Sequence, residues 1–229
     1  MQIDIHTHNP KTADGTFAIR SLSITQLPHP TPHSPLPTLH PPLSIALHPW
    51  HTPPEPHWLD HLRLWAADPR CLMIGECGID HLRGDTPQHQ TQYFEAQIQL
   101  SEELQKPLII HSVKAHSEIL QLRVSSRATQ PWIIHGYRGS IQMADTLLRH
   151  GIHLSFGNYL AQPKTQALLR HLGPDKILLE TDDSPVAIAD LYRQAAAILA
   201  ISLQELESAI TRHAAPLLHV STTKANLRK

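Results

Sequence analysis

The feature that most restricts how this chain can fold is a repeated alternation of short apolar runs with segments of helical spacing. The runs cover residues 1–5, 44–47, 72–75, 107–110, 132–134, 152–155 and 177–179. Runs this short and this continuously apolar suit strands covered on both faces, which is what a parallel sheet flanked by helices requires. Between them, residues 56–67, 88–105, 115–128, 140–150, 163–171, 187–200 and 203–213 carry apolar side chains three and four apart, and these predict helices. In 88–105 the predicted buried stripe is Tyr93, Phe94, Ile98 and Leu104, with Glu102 and Glu103 on the wetter side. Strand and helix alternating along the chain predict an α/β fold of βα units. A length of 229 residues lies in the range that α/β barrels fill as one domain, so residues 1–229 are expected to form a single domain.

One stretch breaks the rhythm. Residues 26–42 (QLPHPTPHSPLPTLHPP) hold too many prolines for a helix, because proline removes a backbone donor and clashes with the preceding turn. An extended loop is expected there in place of the first crossover helix, with residues 17–24 as an early strand.

Candidate metal ligands fall at or just beyond the C-terminal ends of the apolar runs. His6 and His8 follow QIDI, Glu76 follows LMIG, His111 follows PLII, His135 follows PWII, and Asp182 closes ILLETD. In a parallel barrel these ends open on one face, where active sites of such enzymes are built. With 19 histidines in the chain, one His-x-His pair is expected by chance roughly once or twice, so composition alone says nothing about metal. Position decides. Alternate strand residues point to one side, so His6 and His8 can grasp one ion together. Imidazole and carboxylate donors favour zinc, manganese or iron over calcium. In a hydrolytic centre Glu76 bridges two ions roughly 3.5–4 Å apart, and Asp182 both binds an ion and accepts the proton of the attacking water. His29, His33 and His40 in the proline-rich stretch, and His57 with His61 on a predicted helix, lack further donors at suitable spacing and are read as solvated.

Charge and cysteine content exclude other classes. A formal net charge of -1 provides no global field for duplex DNA or an anionic membrane, so any nucleic-acid contact is local. No apolar stretch approaches the roughly 20 residues of a membrane span, no signal-like segment opens the chain, and a cytoplasmic protein without an obligate protein partner is expected. Cys71 and Cys77 have the spacing of neither a redox pair nor a zinc knuckle, and both are expected to be reduced and buried.

The segments IDIHTH, ALHPWH, IGECGID, PLIIHS, WIIHG and LLETDDSP occur in this order across nearly the whole chain. Together they resemble the TatD-type metal-dependent deoxyribonucleases of the amidohydrolase-like superfamily. The resemblance implies a distorted TIM-type (β/α) barrel and up to two divalent ions per site, zinc foremost, with manganese or magnesium as alternatives. Carried over, His6, His8 and Asp182 serve one ion, His111 and His135 the other, and Glu76 both. It further implies a phosphodiesterase that trims DNA 3′ ends through a metal-activated water.

Many relatives carry an arginine two residues after the histidine of the PLIIHS-type segment, where this chain has Val113 followed by Lys114. Where relatives often read HCFSG, this chain reads HGYRG, with Arg138 three residues beyond His135. Phosphate contacts are therefore expected from Lys114 and Arg138, a point charge and a forked donor respectively. His48 of ALHPWH is expected either to hydrogen-bond phosphate or metal-held water, or to stabilise its own turn. Two other classes fit less well: an amidohydrolase or esterase acting on a small metabolite with the same centre, and a non-catalytic metal-binding protein.

Overall fold

A computed structural model describes residues 1–10, 13–28 and 42–218. The strands are β1 (Gln2–Thr7), β2 (Thr16–Ser23), β3 (Leu43–Ala46), β4 (Cys71–Asp80), β5 (Leu108–Val113), β6 (Trp132–Ile134), β7 (Ile152–Phe156) and β8 (Leu178–Leu179). The α-helices are α1 (Trp58–Ala66), α2 (Pro87–Leu104), α3 (His116–Ser126), α4 (Ile141–Arg149), α5 (Pro163–Leu172), α6 (Ile188–Leu199) and α7 (Leu203–Leu217). Every predicted strand and helix is present. His29, His33, His40 and most of the proline-rich stretch lie outside the described residues; within it, Gln26 ends a 3₁₀ turn, Ile24–Gln26.

The described residues group into two compact units: Arg20–Ile134, and Met1–Ile19 with the described part of His135–Lys229. In the first, the strands pair in parallel in chain order, with Arg20 beside Leu43, Leu43 beside Cys71, Ile74 beside Leu108 and Leu108 beside Trp132. Leu43, Ile45, Ile74, Ile109, Ile110, Ile133 and Ile134 are all fully buried, as strands covered on both faces demand. Helix α2 starts at an N-cap, Thr86, whose hydroxyl accepts from the His89 N–H, with Pro87 in the first turn. It packs on β4, and Phe94 meets Trp132 edge to face at 5.5 Å.

The buried stripe of α2 differs from the expected one. Tyr93 and Leu104 are only half-buried, whereas Gln90 and Gln97 are 1% exposed. Both glutamines serve backbone groups that would otherwise be stranded. Gln97 accepts from Leu47 N–H at 2.8 Å and donates to Leu47 C=O at 3.2 Å. Gln90 accepts from Asp80 N–H at 2.7 Å and donates to the carbonyls of Asp80, Arg83 and Asp85. A hydrogen-bonded amide is as admissible in a core as a leucine, and hydrophobic periodicity does not register it.

In the second unit, β7 and β8 run parallel, and the segment after β8 bridges β1 in parallel at Thr7 and Asp182. Helices α6 and α7 cover β1; Tyr192 of α6 accepts from Ile3 N–H at 2.9 Å and donates to Ile3 C=O at 3.0 Å. Helix α7 opens on a capping box between Ser202 and Glu205. Among the described residues no helix is long and apolar enough to cross a membrane.

A histidine clamp ties α7 to β7. His213 Nδ1 lies 3.2 Å from the Ile177 carbonyl, so it carries the proton, and Nε2 accepts from His153 Nδ1 at 2.9 Å. Burial lowers the His213 pKa; the Ile177 carbonyl and the charge of Asp175, itself paired with Arg212, oppose it incompletely. A histidine with a depressed folded pKa takes up its proton more readily in the unfolded chain, so its contribution is complete at high pH and is lost as pH falls below about 6.5. Wild type is therefore expected to lose more stability between pH 7.5 and 5.5 than His213→Gln, in urea melts of both proteins. An identical pH dependence would refute it.

Candidate metal centre

Each unit carries its own cluster of metal-type donors, and each cluster is built on strand ends. In β1 the period-two alternation sends Asp4 and His6 to one side, and His8 follows immediately. The backbone after β8 is held alongside, with Asp182 N–H donating to His6 C=O at 3.0 Å and His8 N–H donating to Asp182 C=O at 2.9 Å. That ladder places Asp182 Oδ1 3.5 Å from His6 Nε2 and 3.6 Å from His8 Nε2. Two imidazole nitrogens thus face one carboxylate oxygen, and the three donor atoms lie within 4.8 Å of one another. His6 is fully buried and His8 is exposed.

His135 follows β6 and belongs to the same unit, its ring 4.5 Å from that of His6. His135, Glu180 and Asp182 form a further group of donors within 4.8 Å. Glu180, 1% exposed, is held by Gly136 N–H at 2.7 Å and by the Ser155 hydroxyl, and it lies 3.4 Å from His135 Nδ1. On β1, Asp4 accepts from Thr181 N–H at 3.0 Å and from the Thr181 hydroxyl at 2.7 Å. Burial pushes the Asp4 carboxyl up to about 7 against those two bonds.

In the unit Arg20–Ile134, Glu76 is not beyond the end of its strand, as the sequence suggests, but in the middle of β4. The β4–β5 register shifts between Ile74 and Cys77, which turns Glu76 out of the regular alternation. Gly75 makes the irregularity possible: with φ at 150°, a Cβ there would lie 2.0 Å from Ile109 Cγ2. Glu76 Oε1 sits 2.6 Å from His111 Nδ1 and 3.1 Å from His48 Nε2. His111, likewise within β5, has its Nε2 3.1 Å from Asp80 Oδ2.

The tautomer of His48 follows from its neighbours. Trp50 N–H donates to His48 Nδ1 at 3.1 Å, so Nδ1 holds a lone pair and the proton lies on Nε2, facing Glu76. His48 thus closes its own turn and presents an N–H to the Glu76 carboxylate. Burial lowers its pKa, opposed by Glu76.

Sequence inspection missed three residues. Asp80 lies 3.1 Å from His111 Nε2, the arrangement by which carboxylates orient metal-binding imidazoles, and Glu180 lies 3.4 Å from His135 Nδ1, within the same group of donors as Asp182. Burial works against the Asp80 carboxylate, yet hydrogen bonds from Trp50, Leu82 and His111 outweigh it and hold the group below the usual carboxylate range. The available signal was an acidic residue ending an apolar run (IGECGID, ILLE). The third is Trp50, whose indole N–H donates to Asp80 Oδ2 at 2.6 Å.

The two expected phosphate contacts differ in setting. Lys114 is exposed at the end of β5 with φ at 58°, and Asp182 has φ at 54°; among the described residues the other non-glycine residues of this kind, Gln105, Arg127 and Ala200, cap helices. A left-handed backbone away from a helix C-terminus is costly and clusters at functional sites. Arg138 lays its guanidinium over the Tyr159 ring at 3.3 Å, and both line a small cavity with Glu180 and Asp182. His61, half-buried, pairs with Glu55, and His57 is exposed 3.9 Å from Asp60. Cys71 and Cys77 are free and buried, and burial raises both thiol pKa values, that of Cys71 to about 11.

Comparison with known proteins adds the following. A family model described as TatD-related DNase matches residues 41–219. The 3′-5′ ssDNA/RNA exonuclease TatD of Citrobacter rodentium is 33% identical over 129 residues, 51% of this chain and 47% of that protein. The match thus spans about half the length of that relative. An Escherichia coli K12 protein named as an uncharacterised metal-dependent hydrolase, YcfH, is 25% identical over 188 residues, 74% of this chain and 71% of its own. Among solved structures, the E. coli K12 TatD homologue YjjV superposes with a TM-score of 0.76 at 22% identity, covering 96% of this chain and 98% of that one. A TatD-family hydrolase from Entamoeba histolytica gives 0.74 at 16% identity, over 94% and 97%. These likenesses show the fold, a TIM-type (β/α) barrel.

Proposed function

Because the chain belongs to the TatD-related DNase family, we propose that it hydrolyses phosphodiesters in single-stranded nucleic acid from the 3′ end, with DNA as the main substrate. The observation that carries this is the approach of His6 Nε2 and His8 Nε2 to one oxygen of Asp182, a donor set suited to a divalent cation. His6, His8, Glu76, His111, His135 and Asp182 are the proposed ligands, for up to two ions, with zinc the best match to the donors. When bound, such ions supply Lewis-acid charge and lower the pKa of water.

The chain's own groups do the rest. Asp182 takes the proton of the attacking water, its carboxylate oriented by the backbone ladder to His6 and His8. Asp80 would orient the ring of His111 as a ligand, and Glu180, near His135 Nδ1, would place a carboxylate beside that ring. His48 donates its Nε2 proton to Glu76 or to a phosphate oxygen beside it. Lys114 and Arg138 hold phosphate. The near-neutral charge favours trimming an end over wrapping a duplex, which would need many more phosphate-neutralising cations.

The test is a 5′-labelled single-stranded oligonucleotide incubated with the purified protein and added zinc, manganese or magnesium. A ladder shortening from the 3′ end, absent with Glu76→Ala, is expected. Inert nucleic acids together with turnover of a cyclic amide or ester would replace the nuclease with an amidohydrolase. Asp80→Ala, which removes the brace behind His111 but no ligand, is expected to weaken metal binding by about 10- to 100-fold. Metal titration with a competing chelator measures this, and an unchanged affinity would reduce Asp80 to a structural role.

A further inference from the structure

We propose that Trp50, with Arg83 laid over its indole, is a stacking platform for the base of the nucleotide whose phosphodiester is cut; this rests on the nuclease activity proposed above. Trp50 is 43% exposed, whereas Trp65 and Trp132 are buried at 3% and 0%. Exposure alone does not mark a site, since Leu64 and Leu82 are more exposed still; what sets Trp50 apart is a flat ring fixed by Asp80 beside His111.

Its position relative to the chemistry is closely set. The indole N–H and His111 Nε2 both approach Asp80 Oδ2, at 2.6 and 3.1 Å, so one carboxylate orients the tryptophan and the candidate ligand together. The Trp50 ring is 4.8 Å from His48 and 5.5 Å from His111, both edge to face. A base resting there is one ring away from the groups around Glu76.

The surrounding backbone makes the platform rigid. Gly84 packs so closely on the Pro49–Trp50 turn that a Cβ would lie 2.1 Å from Pro49 C=O and 2.9 Å from Trp50 Cα. Gln90 staples the same loop through the carbonyls of Asp80, Arg83 and Asp85. Arg83 stands 4.9 Å above the indole and forms no ion pair with a carboxylate among the described residues. An arginine stacked on an aromatic ring supplies both a second flat surface for a base and a charge for the adjoining phosphate. With a net charge of -1, the chain cannot hold single strands by bulk electrostatics, so stacking has to carry part of the affinity.

The experiment compares two oligonucleotides with phosphorothioate linkages at the 3′ end to slow cleavage, one ending in thymidine and the other in an abasic residue. Binding to the protein as purified is read by fluorescence anisotropy. Wild type is expected to prefer the base-bearing end, and Trp50→Ala to weaken that oligonucleotide by about 5- to 150-fold while barely changing the abasic one. Trp50→Phe keeps a ring but loses the tether to Asp80, and is expected to retain most of the preference. Equal binding of the two oligonucleotides by wild type, an equal loss for both on Trp50→Ala, or no binding of either would overturn the platform. Base-dependent, Trp50-dependent binding by a protein that cuts no phosphodiester would instead uphold the platform and overturn the nuclease.

Discussion

Asp182→Asn is expected to lower kcat by about 10²- to 10⁴-fold, the usual contribution of a positioned acid–base group, with the fold intact. The fold survives because what holds this position is backbone: the bonds to His6 and His8 use the main-chain N–H and C=O of Asp182. The left-handed φ of 54° suits asparagine as well as aspartate. The amide retains one oxygen toward His6 and His8, so metal content should largely persist, while the group can no longer accept a proton. Elemental analysis beside kinetics separates the two effects. Full activity with metal retained would rule out the proton role, and loss of metal in step with activity would reduce Asp182 to a ligand.

Glu76→Ala should have a comparably large effect for a different reason. Its carboxylate is 5% exposed, and the proton of His48 and the ring of His111 both face it. Removing it strands two polar groups and deletes a proposed bridging ligand. Loss of several kcal/mol of charge stabilisation corresponds to about a thousandfold or more in kcat/KM. Here metal stoichiometry should fall together with activity, in contrast to Asp182→Asn. A variant with normal metal content and normal turnover would remove Glu76 from the centre.

Much of this was legible in the chain itself. The apolar runs marked the strands because residues buried on both faces leave no room for polar alternation, and helices declared themselves by the spacing of their inner faces. Family membership was readable from IDIHTH, ALHPWH, IGECGID, PLIIHS, WIIHG and LLETDDSP in order. Strand limits were less legible. The apolar pattern of β4 stops at Gly75, yet the strand runs to Asp80, since Glu76 and Asp80 are buried with partners supplied from β5 and the Trp50 turn.

By itself, then, the sequence determined the α/β class, the family and a set of donor residues, because those depend on local periodicity and on motifs a few residues long. Tertiary structure alone decided what each donor faces. The proton of His48 is placed by Trp50 N–H and Glu76, the carboxylate against His111 is that of Asp80 and the one near His135 that of Glu180, and Trp50 is oriented by a carboxylate 30 residues away. Hydrogen-bond partners distant along the chain leave no periodic trace in it, so they become visible only once the strands are side by side.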